Sequence, residues 1–197
     1  MSERPQGSRH IACCHDRHAI IGQHAFRDLH GKVISYVLHR GNMMNFEELA
    51  VALASGTRLQ RAQAAQQLGK LKDKRATKPL MTALGDKNSA VRNNAAFALA
   101  ELGATEAIGV IIPLLRDPEE WVRKSAAKSL GLLHARNAVN DLIAALGDSS
   151  YMVRKNVARS LGQIGGDAAK KALEKTTSDP DKIVAHTATE ALEKLRT

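Results

Sequence analysis

The most constraining feature of this chain is a recurrence every 31 residues, which runs without insertion or deletion through most of its 197 residues. Val91, Val122, Val153 and Val184 keep that spacing, and Arg61, Arg92, Arg123 and Arg154 keep it one position later. Leu68, Leu99, Leu130, Leu161 and Leu192 follow it, as do Ala65, Ala96, Ala127 and Ala158, and then Leu71, Leu102, Leu133, Ile164 and Leu195. Small and large apolar residues thus fall at helical spacings on one face. A second series precedes each of these: Leu49, Leu80, Ile111, Leu142 and Leu173, joined one turn later by Leu53, Leu84, Leu115 and Leu146. Two amphipathic helices per unit make a hairpin that cannot bury its apolar face alone and must stack on its neighbours. Composition agrees. The chain is 44% hydrophobic but only 3% aromatic, and a core of Ala, Leu, Val and Ile suits closely packed helices better than a sheet.

Between the two series stand Asp86, Asp117, Asp148 and Asp179, with Ser55 at the corresponding first position. These are helix N-cap residue types. Asp117-Pro118-Glu119-Glu120 reads as a capping box, with the proline at the first helical position, and Asp179-Pro180-Asp181 repeats its first two elements. An Asp five positions before a Val-Arg pair, followed by an Ala-rich helix, resembles the HEAT repeats of the group named after phycobilisome lyases. The resemblance covers about residues 44 to 197. It implies an all-α, right-handed α-α superhelix of five helical-hairpin repeats, at about 45–75, 76–106, 107–137, 138–168 and 169–197. It also implies that the Arg after each Val bonds to the inter-helix Asp of a neighbouring repeat, so both ladders are structural. Ala185 replaces the Arg in the last unit. Pro113 falls within an expected first helix and should kink it.

Residues 1–42 do not share the pattern. They hold six of the eight histidines and both cysteines and show no sustained period. They are expected to be a poorly ordered extension, or translation from a start upstream of Met43-Met44. Cys13-Cys14-His15 with His18 and His24 offers zinc-ligand types, but adjacent cysteines share one tetrahedral ion poorly, and a flexible tail is the better expectation. Neighbouring cysteines cannot staple distant segments, which favours a reducing, cytoplasmic location. No apolar run is long enough for a membrane helix.

The net charge is +9, from 29 Lys and Arg against 20 Asp and Glu. Residues 1–42 carry 6 basic and 3 acidic residues, so the repeats are only moderately basic. In such a solenoid the second helices line the concave side. Two positions there, one turn apart, escape the core pattern: Ala62 and Gln66, Asn93 and Phe97, Lys124 and Lys128, Lys155 and Arg159, His186 and Glu190. The candidate partner-binding residues are therefore Asn93, Phe97, Lys124, Lys128, Lys155 and Arg159, whose cations would merge on adjacent helices. An acidic protein surface is the expected complement. Nucleic acid is the less favoured one, because no aromatic row alternates with the cations to stack bases. Lys70, Lys72, Lys74, Arg75 and Lys78 form a second basic cluster between the first two repeats.

No catalytic residues or cofactor are assigned. A deoxyhypusine hydroxylase would need repeated His-Glu pairs, whereas His134 and His186 are followed by Ala135 and Thr187. No cysteine lies in the repeats, and no phosphate loop or Ser-His-Asp set is suggested. Gly69, Gly131 and Gly162 recur where close helix packing would exclude a Cβ. The expected function is a non-catalytic protein-binding scaffold or assembly adaptor; resemblance alone keeps a phycobilin lyase, or a lyase-like chaperone subunit, as the alternative.

Overall fold

A computed structural model describes residues 44–195 and two short strands, Ala25–Arg27 (β1) and Val33–Ser35 (β2). The chain divides into two compact units, 1–43 and 44–197. In the first, β1 and β2 pair antiparallel with Phe26 opposite Ile34. The remainder of residues 1–42, including Cys13, Cys14, His15, His18 and His24, lies outside the described residues, and with it the expectation of a poorly ordered extension.

The second unit is an all-α solenoid. Its described helices come in successive pairs: α1 Phe46–Ser55 with α2 Arg58–Leu71, α3 Thr77–Ala83 with α4 Ser89–Glu101, α5 Ile108–Ile111 with α6 Glu120–Leu132, α7 Val139–Ala145 with α8 Tyr151–Ile164, and α9 Asp167–Thr176 with α10 Lys182–Lys194. The second helices α2, α4, α6, α8 and α10 pack each on the next as one column, while the first helices lean mainly on their own partners. The periodic residues form this core: Leu80, Leu99, Val122, Leu130, Leu142 and Leu161 are all fully buried. Each such leucine contributes about 1.5–3 kcal/mol by leaving water.

Small residues let the column close up. A Cβ on Gly162 would stand 2.6 Å from the Ala191 Cβ of the next helix, so α8 and α10 touch through a position that only hydrogen can occupy. Hydroxyls then satisfy what the close approach buries: Ser129 Oγ donates to the Ala96 carbonyl at 2.9 Å and Ser160 Oγ to that of Ala127 at 2.8 Å. Helices α2, α4, α6 and α8 are each followed by a left-handed residue at the same register: Lys72, Gly103, His134 and Gly165 have φ of 53°, 67°, 48° and 73°. Pro113 interrupts the first helix of its repeat. Helix α5 stops at Ile111 and continues as a 3-10 turn over Ile112–Arg116, because proline lacks the N–H that an α-helix would need there.

The capping reading needs correction. Asp86, Asp117, Asp148 and Asp179 each stand two residues before the N-cap, which is Asn88, Glu119, Ser150 or Asp181. Each accepts the backbone N–H of that N-cap residue instead, at 2.8–2.9 Å. Pro118 accordingly lies outside α6, and Ser55 is the last residue of α1, its hydroxyl turned back to the Val51 carbonyl. Capping boxes do occur, at Asn45 with Glu48 and at Thr57 with Gln60.

Candidate functional site

The Arg and Asp ladders make a seam between repeats. Nε and Nη2 of each arginine donate to both carboxylate oxygens of the aspartate 25 residues on: Arg61 to Asp86, Arg92 to Asp117 and Arg123 to Asp148 with Nε at 2.7 Å, and Arg154 to Asp179 with Nε at 2.9 Å. Nη1 simultaneously reaches back to the turn carbonyls of its own repeat, such as Asp86 and Lys87 for Arg92. One guanidinium thus ties the turn of its own unit to the Asp of the next. The hydrogen bonds from Arg61 and Arg154 hold the carboxyls of Asp86 and Asp179 below the ordinary range. At Asp117 and Asp148 burial opposes the charge, but the arginine and backbone N–H bonds outweigh it and these carboxyls too are depressed. Every group here is satisfied, which makes the seam structural. Hollows of about 550 Å³ beside Arg61 and Asp86, and about 470 Å³ beside Arg123 and Asp148, flank these bonds.

The second-helix face differs, because its polar groups are not used up. Asn93, Phe97, Lys124 and Lys128 line one hollow of about 260 Å³ together with Gln66 and Glu101. Lys128 Nζ lies 4.4 Å above the Phe97 ring, a cation–π contact that also positions the ammonium. Asn93 Nδ2 donates to Asn94 Oδ1 at 3.0 Å, while Asn94 is anchored on the Ala62 carbonyl at 2.8 Å. Lys155 and Arg159 stand outside the hollow, at the equivalent positions of the next second helix. Lys128 and Arg159 are exposed and Lys124 and Lys155 half-buried; among the described residues none of the four meets a carboxylate.

The two ends of this face close off. Ala62 is buried, contrary to its expected place on the free surface, because α4 packs over it. His186 and Glu190 satisfy each other at 3.3 Å. His134 is a helix-end residue whose Nδ1 meets the Gln163 carbonyl at 3.0 Å. The other basic cluster is partly neutralised: Arg75 bonds Asp73 and Glu47 at 2.7 and 2.9 Å and stacks on Phe46. Its members are spread over helices as well as the connection, since Lys70 lies in the last turn of α2 and Lys78 in α3.

One feature escaped the sequence reading. Leu59, Trp121, Met152 and Ile183 are exposed large apolar residues at the same register, the last three each one position before a buried Val and Leu59 one before Gln60. Their common 31-residue spacing was the available signal.

Among the described residues no helix is long and apolar enough to cross a membrane, and no three His, Cys, Asp or Glu side chains cluster as metal ligands would. Among solved structures, the chain is similar to the complex of CpcE and CpcF of phycocyanin lyase from Nostoc sp. PCC7120, at 28% identity and a TM-score of 0.71, covering 83% of this chain and 70% of that one. An engineered protein matches at 26% identity and a TM-score of 0.59, covering 78% and 80%. A designed armadillo repeat protein in complex with the peptide (KR)4 matches in fold, at 23% identity, a TM-score of 0.61 and coverage of 76% and 81%. No curated protein gives a significant match. The family model for HEAT repeats matches residues 46–112 and 108–193, and with the stacked hairpins and their Arg–Asp seam the chain belongs to the HEAT-repeat family.

Proposed function

We propose that the chain is a non-catalytic scaffold or assembly adaptor of the cytoplasm, which holds an acidic protein on its second-helix face. The observation that carries this reading is the placement of Lys124, Lys128, Lys155 and Arg159 on two adjacent helices with none of them ion-paired among the described residues, the first two lining a hollow with Asn93, Phe97 and Glu101. Cations left unpaired on a rigid frame attract and orient an acidic surface, and the stacked repeats limit the ordering cost of association. The test is capture from the native lysate by the full chain and by a variant carrying Glu at positions 124, 128, 155 and 159, with helical content checked by circular dichroism. An acidic protein held by the parent and released by the folded variant supports the reading. Equal capture by both rejects it, and retention by the parent of DNA or RNA of any sequence, steeply dependent on salt and lost in the variant, favours nucleic acid instead.

The similarity to CpcE and CpcF of phycocyanin lyase favours a second reading, a bilin lyase or lyase-like chaperone subunit. It calls for a bilin pocket, and a shifted absorbance of added bilin in the presence of the full chain would select it over the scaffold.

A further inference from the structure

Leu59, Ala90, Trp121, Met152 and Ile183 are each the second residue of their helix, in α2, α4, α6, α8 and α10. All five are exposed, Leu59 by 63%, Trp121 by 51%, Met152 by 36% and Ile183 by 49%. A single exposed apolar side chain is ordinary; three large ones in register on the successive helices α6, α8 and α10, with a fourth on α2 beyond the small Ala90 of α4, are not. Neither core nor cap explains them. The core is served by the next residue, Val122, Val153 or Val184, fully buried, and the apolar staple of a helix start sits at other positions.

The row runs parallel to the unpaired cations. Along one helix Trp121 precedes Lys124 by three residues and Lys128 by seven, about 5 and 10 Å of axial rise on the same side. Met152 stands likewise to Lys155 and Arg159. The second-helix face therefore carries an apolar stripe across α6, α8 and α10 and, beside it on α6 and α8, a cationic one that ends at the His186–Glu190 pair of α10.

We infer that this double stripe docks an acidic amphipathic helix of a partner, lying across α6, α8 and α10 with its apolar residues on Trp121, Met152 and Ile183 and its carboxylates over Lys124, Lys128, Lys155 and Arg159. The inference rests on the acidic-partner reading and adds the partner's form. Neighbouring second helices stand about 10 Å apart, which a helix covers in about seven residues, so a helix with an apolar residue every seventh position meets one anchor per repeat. About 14 residues suffice to span from Trp121 to Ile183. Residues 1–42 are themselves net basic, which disfavours them as the occupant.

Trp121 is the only tryptophan, so its fluorescence reports on the stripe directly. The full chain is titrated with a synthetic 21-residue helix bearing Leu at every seventh position flanked by Glu, with a scrambled peptide of the same composition, and with vesicles of anionic phospholipid. The expected result is a blue shift of Trp121 with the helical peptide and affinity about tenfold weaker for the scrambled one. A similar loss is expected when Met152→Ser and Ile183→Ser are combined. Circular dichroism confirms that this variant keeps its helices, and Ile183→Ser alone serves if the pair unfolds. Equal binding of both peptides without a blue shift overturns the helical docking stripe while leaving the acidic-partner reading intact. No binding of either peptide counts against both. A blue shift with vesicles alone, or self-association that Ile183→Ser abolishes, also overturns it, in favour of a lipid surface or a second copy.

Discussion

Replacing Arg92 by alanine tests whether the Arg–Asp seam holds the array together. The Arg92 and Asp117 side chains are 13% and 4% exposed and joined at 2.7 and 2.8 Å through both carboxylate oxygens. Arg92→Ala leaves Asp117 a buried carboxylate with one remaining donor in contact, the Glu119 N–H at 2.9 Å. It also strips the Asp86 and Lys87 carbonyls of their shared partner. Breaking a buried pair by removing one member costs about 3–5 kcal/mol. The exposed Lys87 carbonyl can turn to water, which puts the expected loss near the lower end, about 3 kcal/mol. The assay is equilibrium urea unfolding followed by helical circular dichroism, with hydrogen exchange across α4 and α6 to show where protection is lost, since repeats touch only their neighbours. Arg159→Ala, on the open face, should stay within about 0.5 kcal/mol of the parent. In the double-mutant cycle with Asp117→Ala the coupling should reach about 2 kcal/mol. A change for Arg92→Ala as small as the ~0.5 kcal/mol of an exposed ion pair would refute the seam as a structural tie.

Val122 is fully buried, so Val122→Asp should cost more than about 4 kcal/mol by leaving a charge without a partner, and a parent-like melting curve would show that the helix register is wrong. Gly162→Ala should destabilise by about 1–2 kcal/mol, because the overpacking against Ala191 exceeds the gain in helix propensity; adding Ala191→Gly should restore much of the loss in the same urea titration. Lys72 holds φ 53° while exposed, and Lys72→Gly should stabilise by about 0.5–1 kcal/mol, an outcome that a lower midpoint would contradict. The depressed carboxyls of Asp86, Asp117, Asp148 and Asp179 contribute stability that is fully present above the unfolded aspartate pKa of about 3.9 and is lost as pH falls through the lower folded values. The melting temperature should therefore be insensitive to these groups near neutrality and fall below about pH 4. Removing one rung with Arg92→Ala and Asp117→Ala together should make that acid limb shallower.

The stacked hairpins were legible because Val122, Leu130 and Leu142 recur in phase with their neighbours, and only burial demands such a pattern at every unit. The seam was legible only through resemblance, since nothing in spacing alone says that Arg92 reaches Asp117. The caps were misread for a physical reason: an aspartate that accepts an N–H two residues on and one that caps a helix have the same sequence signature, and Asp117-Pro118-Glu119 satisfies both. On the open face, Lys124 and Lys128 could be found because a cation rarely belongs to a core. Ala62 was misplaced on the free face, because alanine suits both a buried contact and an exposed turn. Trp121 was hidden beside Val122, where an apolar residue at helical spacing reads as another inward one.

The unequal packing of the two helix columns has a mechanical consequence. The second helices are held at short range by hydrogen, methyl and hydroxyl contacts at Gly162, Ala191, Ser129 and Ser160, while the first helices are short, end in turns and touch one another lightly. Bending such a strip compresses or stretches its compliant side and leaves the stiff side at nearly fixed length. Curvature is then written into the sizes of a few small residues in one column, and each added methyl acts as a wedge whose displacement is amplified toward the opposite rim.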